Sequence, residues 1–215
     1  RLSSAASDVY KRQIFNITYS LSNSRIVIDG ETSKIEAKNY LLQKLDSAGI
    51  NYSDNIVVLP KDTIYGIINN SVGNLRGRPS HSSELVSQTL LGTRVKVLKK
   101  QGEWYLIQTP DEYISWIDHG GISIVSESEY YNYYKNPYVF TSVQGFAYSS
   151  VERKAIISDL VVGSVLNVTD KIGDFYKIEY PDKRVGWVNQ MDISPMFSNS
   201  DKTKLDIINN SKQFI

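Results

Sequence analysis

Side chains able to make or break bonds are scarce in this chain. It has no cysteine, which removes thiol nucleophiles, disulfides and thiolate metal sites together. Its two histidines, His81 and His119, fall in stretches that read as loops. They are not at the spacing of a metal-binding pair such as H-E-x-x-H, so no metal site is expected. Acidic residues are plentiful, but nothing in their spacing sets two carboxylates apart as a glycosidase pair. No cofactor motif is present, and no catalytic residue is assigned. The chain is instead rich in tyrosine, with 15 in 215 residues. Tyrosine has an apolar body and a polar tip, which suits half-exposed sheets and ligand-facing surfaces. The formal net charge is +1, so there is no bulk basic field to collect phosphates, and nucleic acid is not an expected partner.

The elements that carry these residues come from a repeat. The stretch from Leu85, LVSQTLLGTRVKVLKKQGEWYLIQTPDEYISWIDHGGI, aligns without a gap with the stretch from Ile156, IISDLVVGSVLNVTDKIGDFYKIEYPDKRVGWVNQMDI. Gly92 meets Gly163, Val97 meets Val168, and Gly102 meets Gly173. Tyr105 meets Tyr176, Ile107 meets Ile178, Pro110 meets Pro181, and Trp116 meets Trp187. At the same offset upstream, Ser71-Val72 meets Ser142-Val143, and Asn74-Leu75-Arg76 becomes Gly145-Phe146-Ala147. An ordered set of turn and core residues at one offset marks two copies of one small domain. Within each copy the residues alternate, with Val95 and Val97 on one side and Arg94 and Lys96 on the other. Turns recur about every ten residues, with glycine where φ is expected to be positive. Short strands at this spacing predict a small closed or nearly closed β-barrel. Such a barrel is marginal alone, so the two are expected to pack on each other or on the rest of the chain.

Residues 14–62 read differently, as a β-β-α-β element. Ile14 to Tyr19, Arg25 to Ile28 and Ile56 to Leu59 are its strands, the last stopped by Pro60. Ser33-x-x-Glu36 reads as a capping box. The helix it opens carries Ile35, Leu41, Leu42 and Leu45 near one face and ends at Gly49. A second capping box, Ser126-x-x-Glu129, opens a connecting helix over residues 126–137. Its four tyrosines are expected to pack against the barrels. The fold class is therefore mainly β, with barrels over 63–125 and 138–197. Residues 1–13 lack an initiator Met and an apolar core. They resemble translated adapter read-through and are set aside as non-native. Residues 198–215 read as a linker and the start of a helix, Lys204 to Phe214. No run approaches the ~20 apolar residues a membrane helix needs.

The string N-L-R-x-x-P-S at Asn74 to Ser80, followed by a strand pair and G-x-W-Y, resembles the bacterial SH3-like domain. The longer stretch from Gly66 to Asp118 is similar to the first such domain of NlpC-type cell-wall cysteine peptidases. Among them it most resembles the γ-D-glutamyl-L-diamino-acid endopeptidases. The likeness runs from about Ile14 to the C-terminus, so the two barrels are expected to be tandem SH3-like barrels. Those enzymes cut peptidoglycan stem peptides between D-glutamate and the diamino acid, using an activated cysteine in a papain-like domain. The resemblance implies that such a domain would follow residue 215 and that this chain is its accessory, substrate-gating or wall-targeting region. It implies the peptidoglycan stem peptide and a catalytic domain in cis as partners. The implied location is the cell envelope, periplasmic or extracellular.

In relatives the first SH3-like domain lies beside the active site and narrows it. The substrate-facing candidates here are therefore the aromatics of G-x-W-Y and Y-x-x-W: Trp104, Tyr105, Tyr113 and Trp116. Core packing is the competing role, and it is the favoured one for Trp116, which Trp187 repeats and which Ile114 and Ile117 flank. Arg76 is a further candidate, able to hold a carboxylate by a bidentate pair. Its competing role is a hydrogen bond within the long first loop. The alternative reading of the whole chain is a free-standing non-catalytic module that binds peptidoglycan peptide or a protein partner.

Overall fold

The computed structural model describes residues 12–22 and 25–196. The expected terminal segment at 198–215 lies outside it, as does that at 1–13 except for its last two residues. Three sheets carry the chain. The first holds β1 (Phe15–Ser22), β2 (Arg25–Thr32) and β3 (Tyr52–Val58) in that order, with α1 (Ile35–Ser47) crossing between the last two. β1 and β2 are antiparallel, while β2 and β3 are parallel, as a helical crossover requires. This is the β-β-α-β element the sequence predicts. The Ser33 cap is a correction. Lys34 occupies the N-cap position with no side-chain cap. The Ser33 hydroxyl instead accepts from the Ile14 amide at 2.9 Å, so the start of the strand takes the oxygen that the helix would have used.

The first barrel follows, with β4 (Ile64–Ile68), β5 (Val72–Arg76), β6 (Leu85–Leu90), β7 (Arg94–Gln101), β8 (Trp104–Gln108), β9 (Ile114–Asp118) and β10 (Ile122–Val125). The connecting helix α2 (Glu127–Asn132) starts on the capping box of Ser126 and Glu129, as its sequence predicts, but it ends at Asn132, short of the expected 137, where a strand begins. The second barrel has β11 (Pro137–Phe140), β12 (Gln144–Tyr148), β13 (Ile156–Val161), β14 (Val165–Ile172), β15 (Phe175–Glu179), β16 (Val185–Asn189) and β17 (Ile193–Pro195). The strand orders are β10-β4-β7-β8-β9-β5-β6 and β13-β12-β16-β15-β14-β11-β17. Read in opposite directions, these are one topology used twice. The cores match position by position. Val97, Ile107, Ile117 and Ile122 line the first, and Val168, Ile178, Val188 and Ile193 line the second. Gly102 and Gly173 take φ of 58° and 54°, the left-handed turns the repeat predicts.

The upstream alignment needs a one-residue correction. Arg76 pairs with Trp116 across β5 and β9, whereas Tyr148 pairs with Trp187 across β12 and β16. Leu75 therefore corresponds to Ala147, and Arg76 to Tyr148. The loop Ser149 to Ala155 is one residue shorter than Gly77 to Glu84, and a gapless alignment misplaces everything before it.

The parts are joined by packing. Ile14, Val57 and Leu59 of the N-terminal element lie on Leu98, Trp104, Leu106, Ile114 and Trp116 on the outer face of the first barrel. Each fully buried aliphatic side chain contributes about 1.5–3 kcal/mol. Between the barrels, Leu91 of the first is 1% exposed and belongs to the core of the second. The Val165 amide donates to the Leu91 carbonyl at 2.9 Å. Gly92 has φ 81°, and a Cβ there would lie 2.1 Å from the Val165 carbonyl oxygen. Two of the connector's four tyrosines close the joint. The Tyr133 hydroxyl donates to the Val165 carbonyl at 3.1 Å, and that of Tyr134 donates to the Gly92 carbonyl at 2.9 Å.

Candidate functional site

The long loop between β5 and β6 is tied at its neck. The Gly77 amide donates to the Glu84 carbonyl at 3.1 Å, and the Arg78 amide donates to the Ser83 hydroxyl at 3.0 Å. Arg76 reaches across from β5, its Nη1 donating to the Ser83 carbonyl at 3.0 Å. That bond is the loop-holding role weighed against carboxylate binding in the sequence. Beside the loop lies an open cleft of about 930 Å³, whose walls include Arg78, Ser82, Glu84, Leu85, Val86 and Tyr113. A cation, a carboxylate, hydroxyls and one aromatic face around such a cleft can hold a zwitterionic, peptide-like ligand.

Of the aromatic candidates, Tyr113 lines this cleft. Trp104 and Trp116 do not. They are 9% and 7% exposed and sit beneath the N-terminal element with Ile14 and Leu59. Their burial is the core role, for Trp104 as well as for Trp116. Tyr105 is half-buried on the inner side of β8 against the barrel core, with the Lys100 ammonium 5.3 Å from its ring centre. The site residues predicted from sequence thus do not converge on one place.

His81, in the loop, packs edge-on against Trp104 with ring centres 4.9 Å apart. Its Nε2 is 3.6 Å from Asp118, and His119 lies 3.5 Å from Glu103. Among the described residues no serine hydroxyl is hydrogen-bonded to either histidine, and no group of three or more His, Asp or Glu side chains is placed to hold a metal ion.

The corresponding outer face of the second barrel holds residues that sequence reasoning missed. Phe175 stands where Trp104 does, Trp187 where Trp116 does, and Tyr148 where Arg76 does. All three are half-buried, and Phe146 beside Tyr148 is 45% exposed. Arg153, at φ 58°, lays its guanidinium 5.4 Å from the ring centres of both Tyr148 and Phe175. Gly186 precedes Trp187, and a Cβ there would come within 2.9 Å of the Ala147 side chain. A glycine lets β12 and β16 approach closely at this point.

Comparison with known proteins fits this architecture. Residues 71–123 match the bacterial SH3 domain family, and residues 121–194 match the GW (Gly-Tryp) dipeptide domain. The two matches fall on the two barrels in turn. Gly186-Trp187 is a Gly-Trp dipeptide within the second match. Both are binding-type domains typical of cell-wall-associated proteins. Among solved structures, the chain is similar to an NlpC/P60 family protein from Bacillus cereus, at 17% identity and a TM-score of 0.52. That match covers 69% of this chain and 62% of the other. It is also similar to an NlpC/P60 endopeptidase from Photobacterium damselae subsp. piscicida, at 14% identity and a TM-score of 0.50, covering 83% and 43%. At these identities the likeness establishes the fold. The chain spans about three-fifths of the first protein and two-fifths of the second. No curated protein matches it. Among the described residues no helix is long and apolar enough to cross a membrane.

Proposed function

We propose that this chain is the non-catalytic region of a peptidoglycan endopeptidase of the NlpC/P60 type, and that it binds the wall peptide its catalytic partner in cis would cut. The observation that carries the reading is the cleft between Tyr113 and the loop Gly77 to Glu84, set in a bacterial SH3 domain. A tied loop presents its polar groups with little ordering cost on binding. The cleft's mixed charge suits a stem peptide, which carries both amines and carboxylates. The two NlpC/P60 neighbours share the same fold. In the resemblance drawn from sequence, the first SH3-like domain narrows the active site beside it, and cleavage falls between D-glutamate and the diamino acid. Tyr113 and Arg78 are then the residues that meet substrate, while Arg76 holds the loop in shape. The envelope is the compartment where this substrate exists.

The test is cosedimentation of the chain with purified peptidoglycan sacculi. The chain is expected in the pellet, and a Tyr113→Ala variant should be partly released. A chain that stays wholly in the supernatant overturns the wall-binding reading.

A further inference from the structure

We infer that the outer face of the second barrel, framed by Tyr148, Phe175 and Trp187, is a separate binding site in which Arg153 takes a carboxylate of the wall polymer. This rests on the wall-binding reading above and places a second contact outside the cleft.

The repeat supplies the argument. In the first copy this face is closed, because Ile14 and Leu59 lie on Trp104 and Trp116. In the second copy the same positions remain aromatic, yet none of the described residues covers them to that degree. Tyr148, Phe175 and Trp187 are half-buried, and Phe146 and Val185 beside them are 45% and 41% exposed. A surface that is core in one copy has stayed aromatic in the other without the covering that makes it core.

The loop above the face changes with it. In the first copy His81 sits on Trp104. In the second, Arg153 sits on Phe175 and Tyr148 at equal distance. A guanidinium stacked on two rings loses little freedom when it binds, and its remaining N–H donors match a planar carboxylate. Arg153 makes no ion pair among the described residues. It is held in place by rings rather than neutralised by an acid. Lys177 lies directly opposite Trp187 on β15 and adds a second cation at the edge of the frame.

The charge balance selects the ligand. Glu152 adjoins Arg153 in the loop, and Glu179 follows Lys177 on the same strand. Two cations among such acids make a local site for one or two carboxylates, not the continuous basic field that a polyphosphate requires. Aromatic faces beside the anion suit the C–H surfaces of a sugar or peptide. A carboxylate-bearing peptide on a glycan strand meets both needs, and the commitment is to that ligand.

The test uses the full chain and three preparations of sacculi: untreated, stripped of phosphate polymers with hydrofluoric acid, and amidated at their carboxylates with carbodiimide and ammonia. Arg153→Gln is expected to weaken binding to untreated sacculi roughly tenfold, the scale of a lost charge-assisted hydrogen bond. Arg153→Lys should recover part of the loss, and thermal unfolding of both variants should match the parent, which separates a binding defect from a folding one. Binding should survive stripping and fall on amidation. If the parent chain binds and Arg153→Gln binds as tightly, this site is overturned while the wall-binding reading stands. If stripping abolishes binding, the ligand is a phosphate polymer and the carboxylate assignment is overturned. A parent chain that does not pellet overturns the wall-binding reading itself.

Discussion

Gly92 is among the residues with the least freedom to change. Its φ of 81° lies in the left-handed region, and the Val165 carbonyl stands where a Cβ would go. The conformation alone penalises alanine by about 1–3 kcal/mol, and the contact adds to it. Gly92→Ala is expected to lower the melting temperature, whereas Gly102→Ala, whose site is open, should carry only the conformational cost. Equal losses at the two positions would mean that the close approach to Val165 contributes nothing. Glu129 gives a second test at this scale. The Lys183 ammonium at 2.8 Å, together with the Ser126 amide and hydroxyl, pulls its pKa from 4.5 down to about 2. Because the folded pKa is the lower one, the contribution to stability is present above the ordinary carboxylate value. It is lost as pH falls from there through about 2. An NMR titration of the Glu129 carboxyl should give its midpoint near that value, moving up in Lys183→Ala. A midpoint at the ordinary value in the parent would remove the ion pair from the account.

At the scale of elements, the N-terminal β-β-α-β unit acts as a lid over the tryptophan face of the first barrel. Leu59→Ala should destabilise the protein by about 2–5 kcal/mol and shift tryptophan emission to the red as Trp104 and Trp116 gain water. A destabilised variant with unshifted emission would separate Leu59 from that face. Much of this level was legible in the sequence. Alternation in β7 placed Val95 and Val97 inward, and the turn glycines marked both hairpins, because those signals are local. The lid over Trp104 was not legible, since no local pattern tells an outward tryptophan from one that a distant segment will cover. The Ser33 cap failed for a related reason. Ile14, far off in sequence, competes for the same hydroxyl. The aromatic frame of the second barrel was hidden by the single residue missing from its loop, which set Arg76 against Ala147 instead of Tyr148. The cleft itself was not legible: of the five candidates read from sequence only Tyr113 lines it, and the sequence could not say that Arg76 spends its guanidinium on Ser83.

For the whole molecule, the joint between the barrels is core-like rather than a touching of surfaces. Leu91 fills its neighbour, while Tyr133 and Tyr134 bond to backbone on both sides. Arg184 donates to the Asn69 carbonyl at 3.0 Å, and the Ser71 hydroxyl donates to Asp159 at 2.6 Å. The two barrels are therefore expected to unfold together. Calorimetry should give one transition over residues 63–196, with calorimetric and van't Hoff enthalpies in agreement. Two resolved transitions would mean that each barrel stands alone.

Leu91 has a consequence for inheritance as well. Tandem copies invite unequal crossing-over, which deletes one copy by splicing the front of the first to the back of the second. Where the exchange falls after Leu91, the spliced product would be a single barrel carrying a plug with no socket to receive it. The pair is thus guarded against contraction by its own packing: two segments of similar sequence have become one unit that can no longer be counted down to one.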